Sequence, residues 1–488
     1  MAVILLLPRN RPELVKWTAV VGATVPLILG VFLFFSFDRS SSAIQFAERA
    51  SWIAPFNIEY YMGIDGLSVP MVLLTVMLSL ICVVASWNIK TGVKGYFAMF
   101  MMLETSMLGV FCALDFFLFF VFWEAMLLPM YFLIGIWGGA NKVYAAIKFF
   151  LYTLAGSVLM LLAMVGFYFY GGETFDLIKL AATSPFAGQS ISLFGWSFAM
   201  DKLFWLGLFI GFAIKVPVWP FHTWLPWAHV EAPTAVSVIL AGVLLKMGTY
   251  GILRMNYGIL PEATIWAANG MMILGVINIL YGAFCALAQT DLKKLVAYSS
   301  VSHMGYVLLG MASFTTAGLN GAVLQMFNHG ISSAMLFLLV GVIYDRAHHR
   351  WIVKPDGSRG FGGIAAVVPV YTGVFAVALF SALGLPGLNG FISEALVFLG
   401  AFSVPKYQGY VIVGSIGIVL GAAYLLWMFM RVFLGPLNEE YKDLQDMTWR
   451  EKGCLAPLLI LCVVLGVYPK PVLDLMGQTV AKLLTLFS

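Results

Sequence analysis

The sequence predicts an all-α polytopic membrane protein of about thirteen transmembrane helices. Three observations carry this. Of the 488 residues, 61% are hydrophobic and 10% charged, where soluble domains run at about 25% charged. Apolar runs long enough to cross about 30 Å of hydrocarbon recur from residue 17 to residue 468. The basic residues fall mainly in alternate connections between those runs.

Composition also excludes several classes. A net charge of +4 gives no basic face for nucleic acid. The five cysteines, Cys82, Cys112, Cys285, Cys454 and Cys462, lie in or beside apolar runs without CxxC or CxxCH spacing. No iron–sulfur or haem site is therefore indicated. No phosphate-binding loop and no GxGxxG after a strand is found. No carboxylate or histidine cluster has metal-ligand spacing, so no metal is expected.

In chain order, residues 1–8 are apolar but too short to span a bilayer, and Arg9, Arg11 and Lys16 follow them. The basic residues come after the apolar part, which is not the order of a signal peptide. The stub reads as the tail of a first helix whose upstream part is missing. Full spans are expected near 17–37, 67–87, 95–114, 116–137 and 144–170. The polar, aromatic connection 38–64 is expected at the membrane interface, and 174–182 reads as a short interfacial helix. The span 203–220 meets Lys215 and is interrupted by Pro217 and Pro220; 233–255 carries Lys246 near its middle. Spans 264–289, 292–312 and 316–344 follow, then 364–386, which ends in Pro386, then 409–433 and 453–468. The tail 471–488 is short and moderately amphipathic.

Alternate connections, with the span ends beside them, hold 17 of the 27 lysines and arginines, and the opposite set holds 8. That bias supports the topology and puts the basic set in the cytoplasm. The two left over, Lys215 and Lys246, are intramembrane. A lysine at bilayer depth costs about 2.5–3.5 kcal/mol on insertion scales, so two of them need a reason.

A weak internal repeat offers one. AIKVPVWPFHTWLPWA (213–228) and SALGLPGLNGFISEAL (381–396) share a half-helix, a proline, an unwound stretch and a second half-helix. The second lies five spans after the first, so the two enter from opposite sides. That is the layout of an inverted repeat with two broken helices. Backbone groups freed at such breaks need partners, and the breaks tend to line cavities.

Five further side chains join Lys215 and Lys246 in the same interior. Glu104, Glu124, Lys215, Lys246, His303, His329 and, after the second break, Glu394 each sit in an apolar stretch, each on its own helix. Each has an ordinary reading: a hydrogen-bonded core histidine, a structural carboxylate, a lysine reaching for the interface. His222 and His229 stand among Trp219, Trp224 and Trp227, the composition of an aromatic belt. Taken together, the series consists of groups that exchange protons. Burial favours a neutral lysine and a nearby carboxylate favours the charged one, so small rearrangements can load or unload it.

The stretch KVPVWPFHTWLPWAHVEAPTAVSVILAGVLLKMGTYGILR, with DFFLFFVFWEAMLLPMY, DLKKLVAYSSVSHMGY and FNHGISSAMLFLLVG, resembles the antiporter-like subunits of respiratory complex I. The likeness runs from about residue 60 to the end. It implies about fourteen helices with two inverted five-helix repeats, each containing a broken helix. The domains would be 1–94, with the first span truncated; 95–255, the first repeat; 256–433, the second; and 434–488. It implies that Lys215 is the central protonatable group and Glu124 its partner. Lys246 then leads through His303 and His329 to Glu394 on the second broken helix, with Glu104 and His222 in support. A glutamate at 394 resembles the M type, where the L and N types carry lysine, and the chain stops too soon for the long lateral helix of the L type. The family's full first helix has only residues 1–8 in its place.

The function so implied is proton translocation within NADH-quinone oxidoreductase. NADH, flavin, iron–sulfur clusters and quinone are expected in other subunits and no cofactor in this one. Partners would be L- and N-type neighbours and other membrane-arm subunits, in the bacterial inner membrane rather than an organelle's. The alternatives are a subunit of a multi-subunit cation/proton antiporter or membrane-bound hydrogenase, which share fold and motifs; an independent solute transporter, which needs a midplane substrate pocket; and a structural bundle.

Overall fold

The computed structural model describes residues 1–488 apart from 9, 184, 187, 194, 195 and 488. Arg9, counted above among the basic residues, lies outside the described residues. Among the described residues, 10 helices are long and apolar enough to cross a membrane. The number is 11 if Trp449–Val467 and Lys470–Phe487, bent by 69° at their junction, form one span. The two other expected spans, 203–220 and 364–386, fall on shorter helices, Met200–Lys215 and Pro369–Leu383. Both are first halves of broken helices. Met200–Lys215 is followed by a tight turn, Phe221–Thr223, and the half-helix Trp224–Glu231. Pro369–Leu383 is followed by Asn389–Phe402.

The local cause of each break is legible. After Lys215 the last helical bonds run from Val216 N–H to Phe212 O and from Val218 N–H to Ala213 O. Pro217 and Pro220 then have no N–H to continue the ladder. At the second break Gly384 takes a left-handed φ of +79°, and Leu385 N–H closes back on Phe380 O. This is a glycine-terminated helix end, and Pro386 forbids its continuation.

Two elements depart from an all-α fold. Residues 38–64 contain an antiparallel hairpin, Gln45–Ile53 with Ile58–Ile64, turned at Asn57. A second hairpin pairs Ser190–Leu193 with Trp196–Ala199. Both are short, and most of the first strand is exposed, so they lack a periodic apolar face for sequence to report. The short helix expected at 174–182 is Leu177–Thr183.

Asp115, Asp291 and Thr315 cap the helices they precede by accepting from backbone N–H groups of the first turn. Thr448 and Glu451 form a capping box. Polar contacts gather at two ends of the bundle, as the charge asymmetry requires. At one end Arg346 pairs with Glu451, Arg350 with Asp291, Lys354 with Glu440, and Arg450 reaches Asn88. At the other, Arg49 reaches Asp176 and Arg254 grips Asp65.

The centre is formed by Thr234–Tyr257, Leu292–Ala312 and Thr316–Ala347, whose apolar windows are 100%, 94% and 94% buried. Pro12–Ser36, at 17%, lies at the periphery. The central helices are those that carry Lys246, His303 and His329.

Candidate functional site

Lys246 is wholly buried on Leu245–Gly251, a helical segment between two wider π turns, Leu240–Leu244 and Ile252–Tyr257. Its Nζ donates to Ala241 O and shares a hydrogen bond of 2.7 Å with Nδ1 of His329. The His329 and His303 rings stand 5.4 Å apart between centroids. Nδ1 of His303 lies 3.3 Å from Oε1 of Glu394. Four titratable groups from four helices thus form one buried series ending just beyond the second break. Glu394 also backs onto Gly384, where a Cβ would stand 2.7 Å from Oε2.

Lys215 is buried at the end of its half-helix. Its Nζ lies 4.5 Å from the Trp123 ring centroid and 3.5 Å from Sδ of Met126. Glu124 stands between these residues in sequence and acts on Lys215 electrostatically. The two make no ion pair, and Oε1 of Glu124 is buried without a hydrogen-bond partner. The lysine helices approach through Gly248, where a Cβ would meet Phe212 O at 2.8 Å and Lys215 Cβ at 3.2 Å.

The supporting residues divide. His222 occupies the turn of the first break, packed edge-on against Tyr281, with Nδ1 unpartnered. Glu104 is buried on Val93–Cys112, but no hydrogen bond or ion pair joins it to the series. Its helix was legible and its neighbours were not.

Several contributors escape sequence reasoning. His229 sits not at an interface but fully buried, stacked on Phe337 at 4.4 Å, with both ring nitrogens unpartnered. It acts electrostatically with Lys246 and Lys293. Asn278 ties the first break: it accepts from Trp219 N–H at 2.7 Å and donates to Pro217 O at 3.2 Å. Asn328 and Asn389 bond each other across the second break. Among the described residues, no group of three His, Cys, Asp or Glu is placed to hold a metal ion.

Such a buried row of amine, imidazole and carboxyl groups can pass protons. Two family models match the chain. One, described as NADH:quinone oxidoreductase/Mrp antiporter, covers residues 113–421; the other, NADH-ubiquinone oxidoreductase chain 4, amino terminus, covers 14–114. NADH-quinone oxidoreductase subunit M of Rhodobacter capsulatus is 44% identical over 472 residues, 96% of this chain and 90% of that one. The subunit of the same name from Mycobacterium tuberculosis is 38% identical over 517 residues, 99% of this chain and 91% of that one. A chain of respiratory complex I from Thermus thermophilus superposes with a TM-score of 0.87 at 27% identity, covering 100% of this chain and 97% of its own. A chain of the Mrp complex from Dietzia sp. shares the fold, with a TM-score of 0.80 at 20% identity over 98% of this chain and 95% of its own.

Proposed function

The chain belongs to the family of antiporter-like membrane subunits of NADH-quinone oxidoreductase, in its chain 4 or M branch, and we propose that it conducts protons as one subunit of that complex in the bacterial inner membrane. The observation that carries the reading is the series Lys246, His329, His303, Glu394, joined at 2.7 Å, a ring spacing of 5.4 Å, and 3.3 Å. On this reading its neighbours are other antiporter-like and membrane-arm subunits. NADH, flavin, iron–sulfur clusters and quinone belong to other chains. The segments 95–255 and 256–433 act as two half-units, each with one broken helix.

The steps follow from the geometry. Lys215 and Glu124 stand apart. Closing that separation holds the ammonium, and opening it frees the proton. At 4 Å and an effective dielectric of 20, such a pair is worth about 4 kcal/mol. Moving one charge against 100 mV costs about 2.3 kcal/mol, so one closure is large enough to gate one transfer. The freed proton moves to Lys246 across the helix contact at Gly248, then through His329 and His303 to Glu394.

The test is Lys215→Ala in sealed membrane vesicles, after confirming that the complex assembles. NADH-driven quinone reduction and proton uptake are expected to fall together. Unchanged values for both make Lys215 structural and remove the centre of the reading. A cation/proton antiporter shares the larger family model, but the match of residues 14–114 to the chain 4 amino terminus favours the oxidoreductase.

A further inference from the structure

Gln325 is buried on Thr316–Ala347, one turn before His329. Its Nε2 lies 3.5 Å from Nδ1 of His303, the same nitrogen that faces Glu394 Oε1 at 3.3 Å. The two neighbours make opposite demands. An ionised carboxylate needs a proton on Nδ1; an amide N–H needs a bare lone pair there. At its other end Gln325 Oε1 accepts from Ser393 Oγ at 2.5 Å. Ser393 is the residue before Glu394, and its hydroxyl has another acceptor, Gly390 O, at 3.0 Å. It also accepts from Asn328 Nδ2 at 3.2 Å.

This makes the amide reversible. In one arrangement Gln325 donates to bare Nδ1 and accepts from Ser393. Turned over, its oxygen accepts from Nδ1–H while its NH₂ donates to Ser393 Oγ, whose hydroxyl then turns to Gly390 O. His303 Nδ1, both ends of the Gln325 amide and the Ser393 hydroxyl have partners in both arrangements, so the amide can turn over without stranding any of them.

We propose that Gln325 is a positioning residue for outward proton release, a latch that holds His303 with Nδ1 bare after its proton has passed to Glu394. The inference rests on the relay reading above. In the step, the imidazolium gives its Nδ1 proton to the Glu394 carboxylate. The products are a neutral imidazole with hydrogen on Nε2 and a carboxylic acid, with charge conserved. The Gln325 N–H then occupies the vacated lone pair, so the proton does not return the way it came. The charged and titratable groups facing this spot are Glu394, His329 with Lys246 behind it, and Tyr306 and Tyr424, the last two within electrostatic reach of Glu394.

The test uses sealed vesicles holding the assembled complex, with NADH-driven proton uptake measured from about pH 6 to about pH 8.5. Gln325→Met keeps the volume and removes both hydrogen-bonding ends. Uptake is expected to fall about three- to tenfold at every pH, the scale of one lost hydrogen bond. Gln325→Glu keeps the shape. Ionised, it only accepts and traps the proton on Nδ1; protonated, it can donate again. Its uptake is expected to be low at alkaline pH and to recover towards wild type as pH falls. Glu394→Gln serves as the control for the relay. Wild-type uptake in Gln325→Met alongside a loss in Glu394→Gln overturns the latch and leaves the relay; wild-type uptake in both overturns the relay. A Gln325→Glu profile without pH dependence, low or normal, also overturns the latch. If Gln325→Met does not assemble, the pH profile of Gln325→Glu decides alone.

Discussion

Nζ of Lys246 and Nδ1 of His329 stand 2.7 Å apart although 83 positions separate them in the chain. Both belong to helices buried on all sides. The π turn at Leu240–Leu244 sets up the contact: it widens the turn beside Lys246, and the amine bonds Ala241 O within it. A lysine so held is aimed at the histidine by its bond to Ala241 O.

The approach of the two lysine helices depends on Gly248. Gly248→Ala places a Cβ 2.8 Å from both Phe212 O and Val216 Cγ2, closer than packed atoms tolerate. The helices must part, at a cost of about 1–3 kcal/mol. The purified complex is expected to inactivate at lower temperature, and its proton uptake to fall more than its assembly does.

The first break depends on Asn278. In Asn278→Ala, Trp219 N–H and Pro217 O lose the side chain that satisfies them. Each buried group left unpaired costs about 1–3 kcal/mol. Hydrogen exchange by mass spectrometry is expected to speed up across residues 216–223 and to remain unchanged around Asn389 at the second break.

Asp446 lies in the loop before Trp449–Val467 and holds the start of the second broken helix by accepting from Val370 N–H at 2.9 Å and Tyr371 N–H at 3.0 Å. Burial pushes its carboxyl up, but the backbone donors Met447, Val370 and Tyr371 and the charge of Lys452 outweigh it, so the group sits below the usual aspartate value. A depressed value means the ionised form is stabilised by folding. That contribution is present above the unfolded value near 3.9 and is lost as pH falls through the folded one. Asp446→Asn is expected to lower thermal stability by about 1 kcal/mol at neutral pH, as for other helix caps. The gap to wild type should close below about pH 4, which thermal melts across pH would check.

The legible part of the site was the part that violates apolar composition. Lys215, Lys246, His303, His329 and Glu394 stand out because each interrupts a run that otherwise suits lipid, and Pro217, Pro220 and Pro386 mark the breaks beside them. Asn278 and Gln325 carry no such signal. An uncharged amide interrupts an apolar helix less sharply than a charge does, and its role depends on which backbone or ring it faces. His229 was visible, but its tryptophan neighbours suggested an interface, whereas Phe337 covers it. Glu104 had the same signal as Glu124 and stands apart, since a sequence places a residue on a helix without saying what that face meets. The hairpin at Gln45–Ile64 was missed because its first strand is mostly exposed and has no alternating apolar face.

The central claim is that Lys246 and His329 are consecutive stations of one proton path. The direct measurement is NADH-driven proton uptake for Lys246→Met, His329→Leu and the double variant, each normalised to assembled complex. Consecutive stations predict that each single variant loses about tenfold or more and that the double is no worse than the poorer single, because a path already cut cannot be cut again. Wild-type uptake in either single variant, or losses that multiply in the double, would contradict it.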